Sequence, residues 1–200
     1  AKTSNETVFA ISRLLFDNDM LWGTTLSMQS VDVEVLEAIS RPHTDMEAVA
    51  DLKNRYHQHQ IPTYTELILG LPKETRASFV DGICQLLEIG MHDDIRVFEL
   101  ALLPNAPLSR PEMRERYGLD TRFKPIRLTP PGYEKEAVEL VFGTISMPYE
   151  DWSHCLLFAE MIQALHNGAY TRFLAMYLHQ EGWLSYRQFY EGLLDHLLAD

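Results

Sequence analysis

The chain has 200 residues, of which 46% are hydrophobic and 23% charged, an ordinary globular balance that excludes wholesale disorder. Its formal net charge of −12 argues against non-specific binding to nucleic acid or to an anionic membrane, although a local basic pocket stays compatible with it. No apolar run is long enough to cross a bilayer, and the first residues lack the charged-then-apolar order of a signal peptide. The two cysteines, Cys84 and Cys155, lie far apart without a partner motif. That usage suits a reducing cytoplasm and leaves no cysteine-framed metal or iron–sulfur site within this chain.

In chain order, residues 3–7 read as a helix start with a capping residue and an acid in the first turn. Val8, Ile11, Leu14 and Leu15 follow at helical spacing, and Gly23 closes the segment. Thr24 to Ser30 alternates and carries β-branched residues, which predicts a strand. Asp32 caps a short helix bearing Val35, Leu36 and Ile39. Residues 41–44 break it, because proline disfavours helix at the residue before it. A second helix runs from Met46 to His59. Thr63 to Leu69 is the next strand, closed by Gly70-Leu71-Pro72. Lys73-Glu74-Thr75 opens a helix to about Ile89 with Gly90 as its cap, and Ile95 to Leu103 is a third strand. Residues 104–135 read as a long irregular connection. Val138 to Thr144 is either a fourth strand or the start of a helix. From Tyr149 onward the pattern is helical, interrupted at Gly168 and Gly182.

Strands joined by crossovers of a dozen residues or more are expected to be parallel, with right-handed connections. The apolar runs Leu67-Ile68-Leu69 and Leu100 to Leu103 fit strands buried on both faces. Three such strands leave two sheet edges open, so a barrel would continue upstream of Ala1; the alternative is a small complete α/β domain. The expected organisation is a partial (β/α) barrel over 1–117, an irregular connection over 118–148 and a helical carboxyl-terminal region over 149–200. An uncovered edge at Thr24 to Ser30 is a template for pairing with a second copy. A homodimer through that edge is one expectation, and cover by the first helix or the tail is the other.

Ligands of open α/β sheets sit at the carboxyl ends of the strands. There, Ser27 and Gln29 alternate onto one strand face and can hydrogen-bond hydroxyls, or simply satisfy backbone groups. Gly70 permits close backbone approach, or merely a turn. Glu66 stands inside an apolar strand, which is costly unless it is paired or faces a polar cavity. Arg41 can pair with a carboxylate, or be an ordinary solvated charge. His57 and His59 read as surface residues and His92 as part of a solvated turn. His154 belongs to an amphipathic helix, and His166 reads as a cation at a helix carboxyl end. The tail aromatics Trp152, Phe158, Tyr170, Phe173, Tyr177, Trp183, Tyr186, Phe189 and Tyr190 are expected to be the core of a helical bundle, or else a lid over the barrel mouth.

The segments TTLSMQSVDVEVLEAISRPHT, TYTELILGLPKETRASF and ELALLPNAPLS, in that order, resemble the second half of a radical S-adenosylmethionine (SAM) barrel of the cobalamin-binding type, a family that includes many methyltransferases. The tail with Asp151-Trp152 and 185–189 resembles the end of those proteins. The resemblance implies that Ser27, Gln29 and Glu66 contact the SAM ribose and that Arg41 pairs with its methionyl carboxylate. It also implies that backbone around Gly70, Leu102, Leu103 and Pro104 cradles methionine and adenine. The implied cofactors of the parent protein are SAM, a four-iron–four-sulfur cluster and cobalamin, acting on a small-molecule substrate in the cytoplasm. The family's three-cysteine cluster loop and its cobalamin domain are missing from this sequence. The chain alone is therefore expected to be inactive, to hold no iron and to bind SAM weakly. The competing reading is a non-catalytic nucleotide-binding or scaffold module without a cluster.

Overall fold

The computed structural model describes residues 6–43, 45–125 and 137–199. Part of the expected helix start (3–5), Thr44 of the expected break and 126–135 of the expected connection lie outside the described residues. The first half alternates helices and strands: α1 (Glu6–Phe16), β1 (Thr24–Gln29), α2 (Val33–Ala38), α3 (Met46–Gln58), β2 (Thr63–Leu69), α4 (Arg76–Glu88) and β3 (Ile95–Glu99). The second half comprises α5 (Pro111–Tyr117), β4 (Asp120–Pro125), β5 (Ala137–Gly143), α6 (Tyr149–Met161), α7 (Arg172–Gln180) and α8 (Tyr186–Leu198). A π-helical segment, Ile162–Asn167, extends α6.

Local chemistry sets these boundaries. The Asp32 carboxylate accepts from the Glu34 and Val35 N–H groups, which starts α2, and Asp45 accepts from Glu47 N–H to start α3. Reciprocal capping boxes, Thr75 with Ser78 and Ser185 with Gln188, open α4 and α8. Gly90, at φ 84°, follows the last turn of α4 as expected. Gly82 sits mid-helix because a Cβ there would come within 2.9 Å of Val31 Cγ2; its absence lets α4 lie close against the end of β1.

Strands β1, β2 and β3 form one parallel sheet in that order, as expected of the crossovers. Among the described residues no strand lies beyond β1. Leu26, Met28, Leu67, Leu69 and Ile95 point into one core with Phe79, Ile83 and Leu87 of α4, Phe158 of α6 and Tyr190 of α8. Burial along β2 alternates strictly, so the strand buries one face and leaves the other open. This corrects the expectation of strands covered on both sides. Helices stand on one face only, and the opposite face carries Ser27, Tyr64, Glu66, Ile68, Arg96 and Phe98.

Three further expectations need correction. In α1 the buried residues are Phe9 and Ser12, whereas Ile11 and Leu14 are exposed, because the helix docks through a tilted Phe9–Tyr56 ring contact. The helix also ends at Phe16, well before Gly23. The stretch read as irregular contains α5 and the antiparallel hairpin β4–β5. That hairpin is clamped by a bidentate Arg114–Glu139 pair at 2.6 Å, which with the Thr121 hydroxyl holds the Glu139 carboxyl down at about 2. It joins the main sheet just past β3: Leu102 N–H donates to the Glu139 carbonyl (2.8 Å) and Val141 N–H to that of Leu100 (2.9 Å).

Candidate functional site at the carboxyl ends of the strands

The parallel register sets a polar row across the open face. Ser27 pairs with Glu66, and Glu66 with Arg96. One step further along, Ile68 pairs with Phe98. Above this row lies a cleft of about 290 Å³ lined by Ser27, Gln29, Glu66, Ile68, Phe98, Glu99, Leu100, Ala101 and Leu103. Glu66 is thereby half-exposed at a polar cavity, which removes the cost of placing a carboxylate in an apolar strand.

Gln29 reaches the cleft through a backbone irregularity. The β1–β2 register slips between Ser27 and Gln29, and Gln29 takes a left-handed φ of 64°. That conformation is unfavourable for a residue with a side chain and marks a locally imposed geometry. Its amide Nε2 donates to Ser27 Oγ at 3.2 Å, so hydroxyl and amide act as one polar unit beside the Glu66 carboxylate. The opposite wall is apolar: Phe98 is 51% and Leu103 60% exposed. A carboxylate with hydroxyl and amide groups recognises vicinal hydroxyls, and an exposed ring recognises a flat heterocycle. At the rim, Lys124 Nζ of the hairpin lies 2.9 Å from Glu99 Oε2.

Ser27, Gln29, Glu66 and Leu103, singled out from the sequence, thus converge on the cleft. Leu102 instead packs with Val35, Leu71, Leu100 and Val141 behind it. Gly70, at φ 95°, closes β2 beneath the indole of Trp152, where a Cβ would stand 3.4 Å from Nε1. Pro104 and Arg41 are exposed and do not line the cleft. Sequence reasoning missed Ile68 and Phe98, although both lie at even spacing from Glu66 and Arg96 on the same strand faces.

The histidine readings change. His166 is fully buried: its Nδ1 lies 2.6 Å from the Tyr190 hydroxyl and its Nε2 3.2 Å from His92 Nδ1. Burial, reinforced by the neighbouring His92 and Arg172, lowers its pKa to about 4, so it is neutral and not a helix-end cation. His92 is lowered to about 4 as well, by burial first and then by Lys53 and Arg172. The tail aromatics divide. Trp152, Phe158, Tyr186 and Tyr190 are core, whereas Tyr170, Phe173, Tyr177 and Trp183 are exposed along α7 and its end.

The donors for an iron–sulfur cluster do not fit. Cys84 and Cys155 are both buried, on α4 and α6, and burial pushes each thiol up to about 12, far from the thiolate a cluster requires. Among the described residues no group of three His, Cys, Asp or Glu side chains could hold a metal ion. Among them, too, no helix is long and apolar enough to cross a membrane.

No family model matches the chain. It is 51% identical over 199 residues to the cobalamin-dependent radical SAM methyltransferase TokK of Streptomyces tokunonensis, covering 98% of this chain and 29% of that protein. It is 50% identical over 202 residues to the 2-(S-pantetheinyl)-carbapenam-3-carboxylate methyltransferase of Streptantibioticus cattleyicolor, covering 100% of this chain and 30% of that protein. Among solved structures, the radical SAM methyltransferase TsrM of Kitasatospora setae, with tryptophan substrate and a SAM analogue bound, superposes with a TM-score of 0.50 over 70% of this chain and 31% of its own, at 13% identity. That likeness concerns the fold alone. By sequence, the chain is a relative of the cobalamin-dependent radical SAM methyltransferases and spans about three-tenths of the length of the curated relatives it matches.

Proposed function

We propose that this chain is the SAM-binding later part of the barrel, with its helical tail, of a cobalamin-dependent radical SAM methyltransferase. The observation that carries this reading is the convergence of Ser27, Gln29 and Glu66 on one cleft, in a chain about half identical to such enzymes. In this reading the Glu66 carboxylate and the Ser27–Gln29 pair hold the ribose hydroxyls, and Phe98 with Ile68 offers the adenine an apolar surface. Arg41, which stands outside the cleft lining, is assigned the methionyl carboxylate on the family resemblance. Of the positions that the resemblance assigns to methionine and adenine, Leu103 lines the cleft, while Gly70, Leu102 and Pro104 stand outside its lining and keep that assignment on the resemblance alone. SAM, when bound, supplies the methyl group. The cluster and cobalamin are assigned to parts of the protein outside this chain, because no cysteine set here fits a cluster.

The relatives suggest the acceptor class: a small carbapenam carboxylate carrying a pantetheinyl thioether, as in the name of one of them. The test is methyl transfer by the longer protein that contains this chain, reconstituted anaerobically and given SAM labelled in its methyl group. Labelled methyl in a carbapenam product supports the reading. SAM neither bound nor consumed by that protein sinks it and favours a non-catalytic module.

A further inference from the structure

Glu74 lies in the loop between β2 and α4, only 2% exposed, and Ser30 at the end of β1 is equally buried. Ser30 Oγ donates to Glu74 Oε1 at 2.8 Å and also accepts from Asp32 N–H at 3.2 Å. Glu74 Oε2 has no partner among the described residues. On the outer side of the same junction, Lys73 Nζ stands 3.5 Å from Glu34 Oε2 of α2.

Both partners adjoin strained backbone. Gln29, just before Ser30, has φ 64°, and Lys73, just before Glu74, has φ 68°. A non-glycine residue holds such a conformation only where its surroundings impose it. In each case the left-handed residue turns its successor inward. The buried hydrogen bond is what the two turns have in common.

We propose that the Ser30–Glu74 hydrogen bond fixes the irregular end of β1, so that Glu74 is a positioning residue that sets Gln29 and Ser27 for ligand in the cleft. This rests on the SAM reading above. Glu74 itself does not line the cleft and acts through Ser30. Burial raises its carboxyl to about 8, opposed by the Ser30 bond and reinforced by Asp32 from the β1–α2 junction. From α6, the neutral thiol of Cys155 faces the same group. Near neutral pH the carboxyl therefore keeps its proton. Ionisation would place a charge near Asp32 in a site where, among the described residues, no cation is bonded to it.

The experiment is equilibrium binding of SAM to the complete, cluster-loaded protein and to its Glu74→Gln, Glu74→Ala and Ser30→Ala variants. Glu74→Ala and Ser30→Ala are expected to weaken binding about tenfold, the scale of one lost hydrogen bond. Glu74→Gln, which keeps an acceptor for Ser30, is expected to stay within about threefold of wild type on the same scale. Ser30→Ala or Glu74→Ala protein that binds SAM like the wild type overturns the inference while leaving the SAM reading intact. Wild-type protein that binds no SAM overturns both. Should Glu74→Ala fail to fold, Ser30→Ala and Glu74→Gln decide the matter.

Discussion

Ser27 and Glu66 occupy paired positions on neighbouring parallel strands, and both face the uncovered side of the sheet. Hydroxyl and carboxylate stand there without a helix above them, at the strand ends where α/β sheets bind ligands. Ser27→Ala and Glu66→Ala are each expected to lower SAM affinity of the complete protein by about five- to twentyfold. The double variant should lose less than the sum, since the two groups share one ligand edge. Full additivity in a binding titration would mean that the two groups contact the ligand independently and not as one polar unit.

Phe98 offers a sharper separation of binding from folding. Its ring is 51% exposed, so removing it leaves little cavity. Phe98→Ala should change unfolding free energy by no more than about 0.5 kcal/mol, yet weaken SAM binding by about 1 kcal/mol through lost apolar contact. A large stability loss with unchanged binding would place the ring in the fold and not in the site.

Glu74→Gln should stabilise the protein, and by more at higher pH. A carboxyl whose folded pKa lies above its unfolded value contributes most below the unfolded value and loses that contribution as pH rises through about 8. Relative to the neutral amide, wild type should be nearly equal at pH 5 and less stable at pH 8 by up to about 4 kcal/mol. Denaturant unfolding at the two pH values measures the difference. A margin independent of pH would show that Glu74 does not change protonation on folding.

The His92–His166–Tyr190 chain should act in the opposite direction. Both imidazoles are neutral when folded, with pKa values lowered to about 4. The stability they confer is present above their ordinary value and is lost as pH falls from about 6.5 toward 4. His166→Gln should cost about 1–2 kcal/mol at pH 7 through the altered bond to Tyr190, but should show a shallower acid limb. An acid limb as steep as that of the wild type would refute this.

Much of this architecture is legible in the sequence where the controlling chemistry is local. Asp32, Thr75 and Ser185 announce their helices by capping, and Thr24 to Gln29 and Thr63 to Leu69 announce strands by alternation. The same alternation places Ser27 and Glu66 on one face, whereas Gln29 reaches the cleft through a register slip that the sequence does not announce. What the sequence hides is set by distant partners. His166 is neutral because His92 and Tyr190 enclose it from 74 and 24 residues away. Phe98 and the apolar run Leu100 to Leu103 suggest burial, yet Phe98 and Leu103 are exposed because helices cover only one side of the sheet. The aromatic spacing of α7 fixes a helix without saying which stripe turns inward; Ala175 does, and Phe173 and Tyr177 do not. Val138 to Thr144, left open between strand and helix, falls on a strand, β5; its partner β4 escapes notice because it is mostly exposed and lacks a clean alternation, while Arg114 and Glu139 clamp the hairpin across a distance the sequence does not show.

The most direct measurement is amide hydrogen exchange on the complete, cofactor-loaded protein with and without SAM. Binding at the open face should slow exchange at 25–30, 66–71 and 98–103, where the three strands end, and leave α7 and α8 unchanged. SAM bound at saturation with no protection at those strand ends would contradict the placement of the ligand on this sheet.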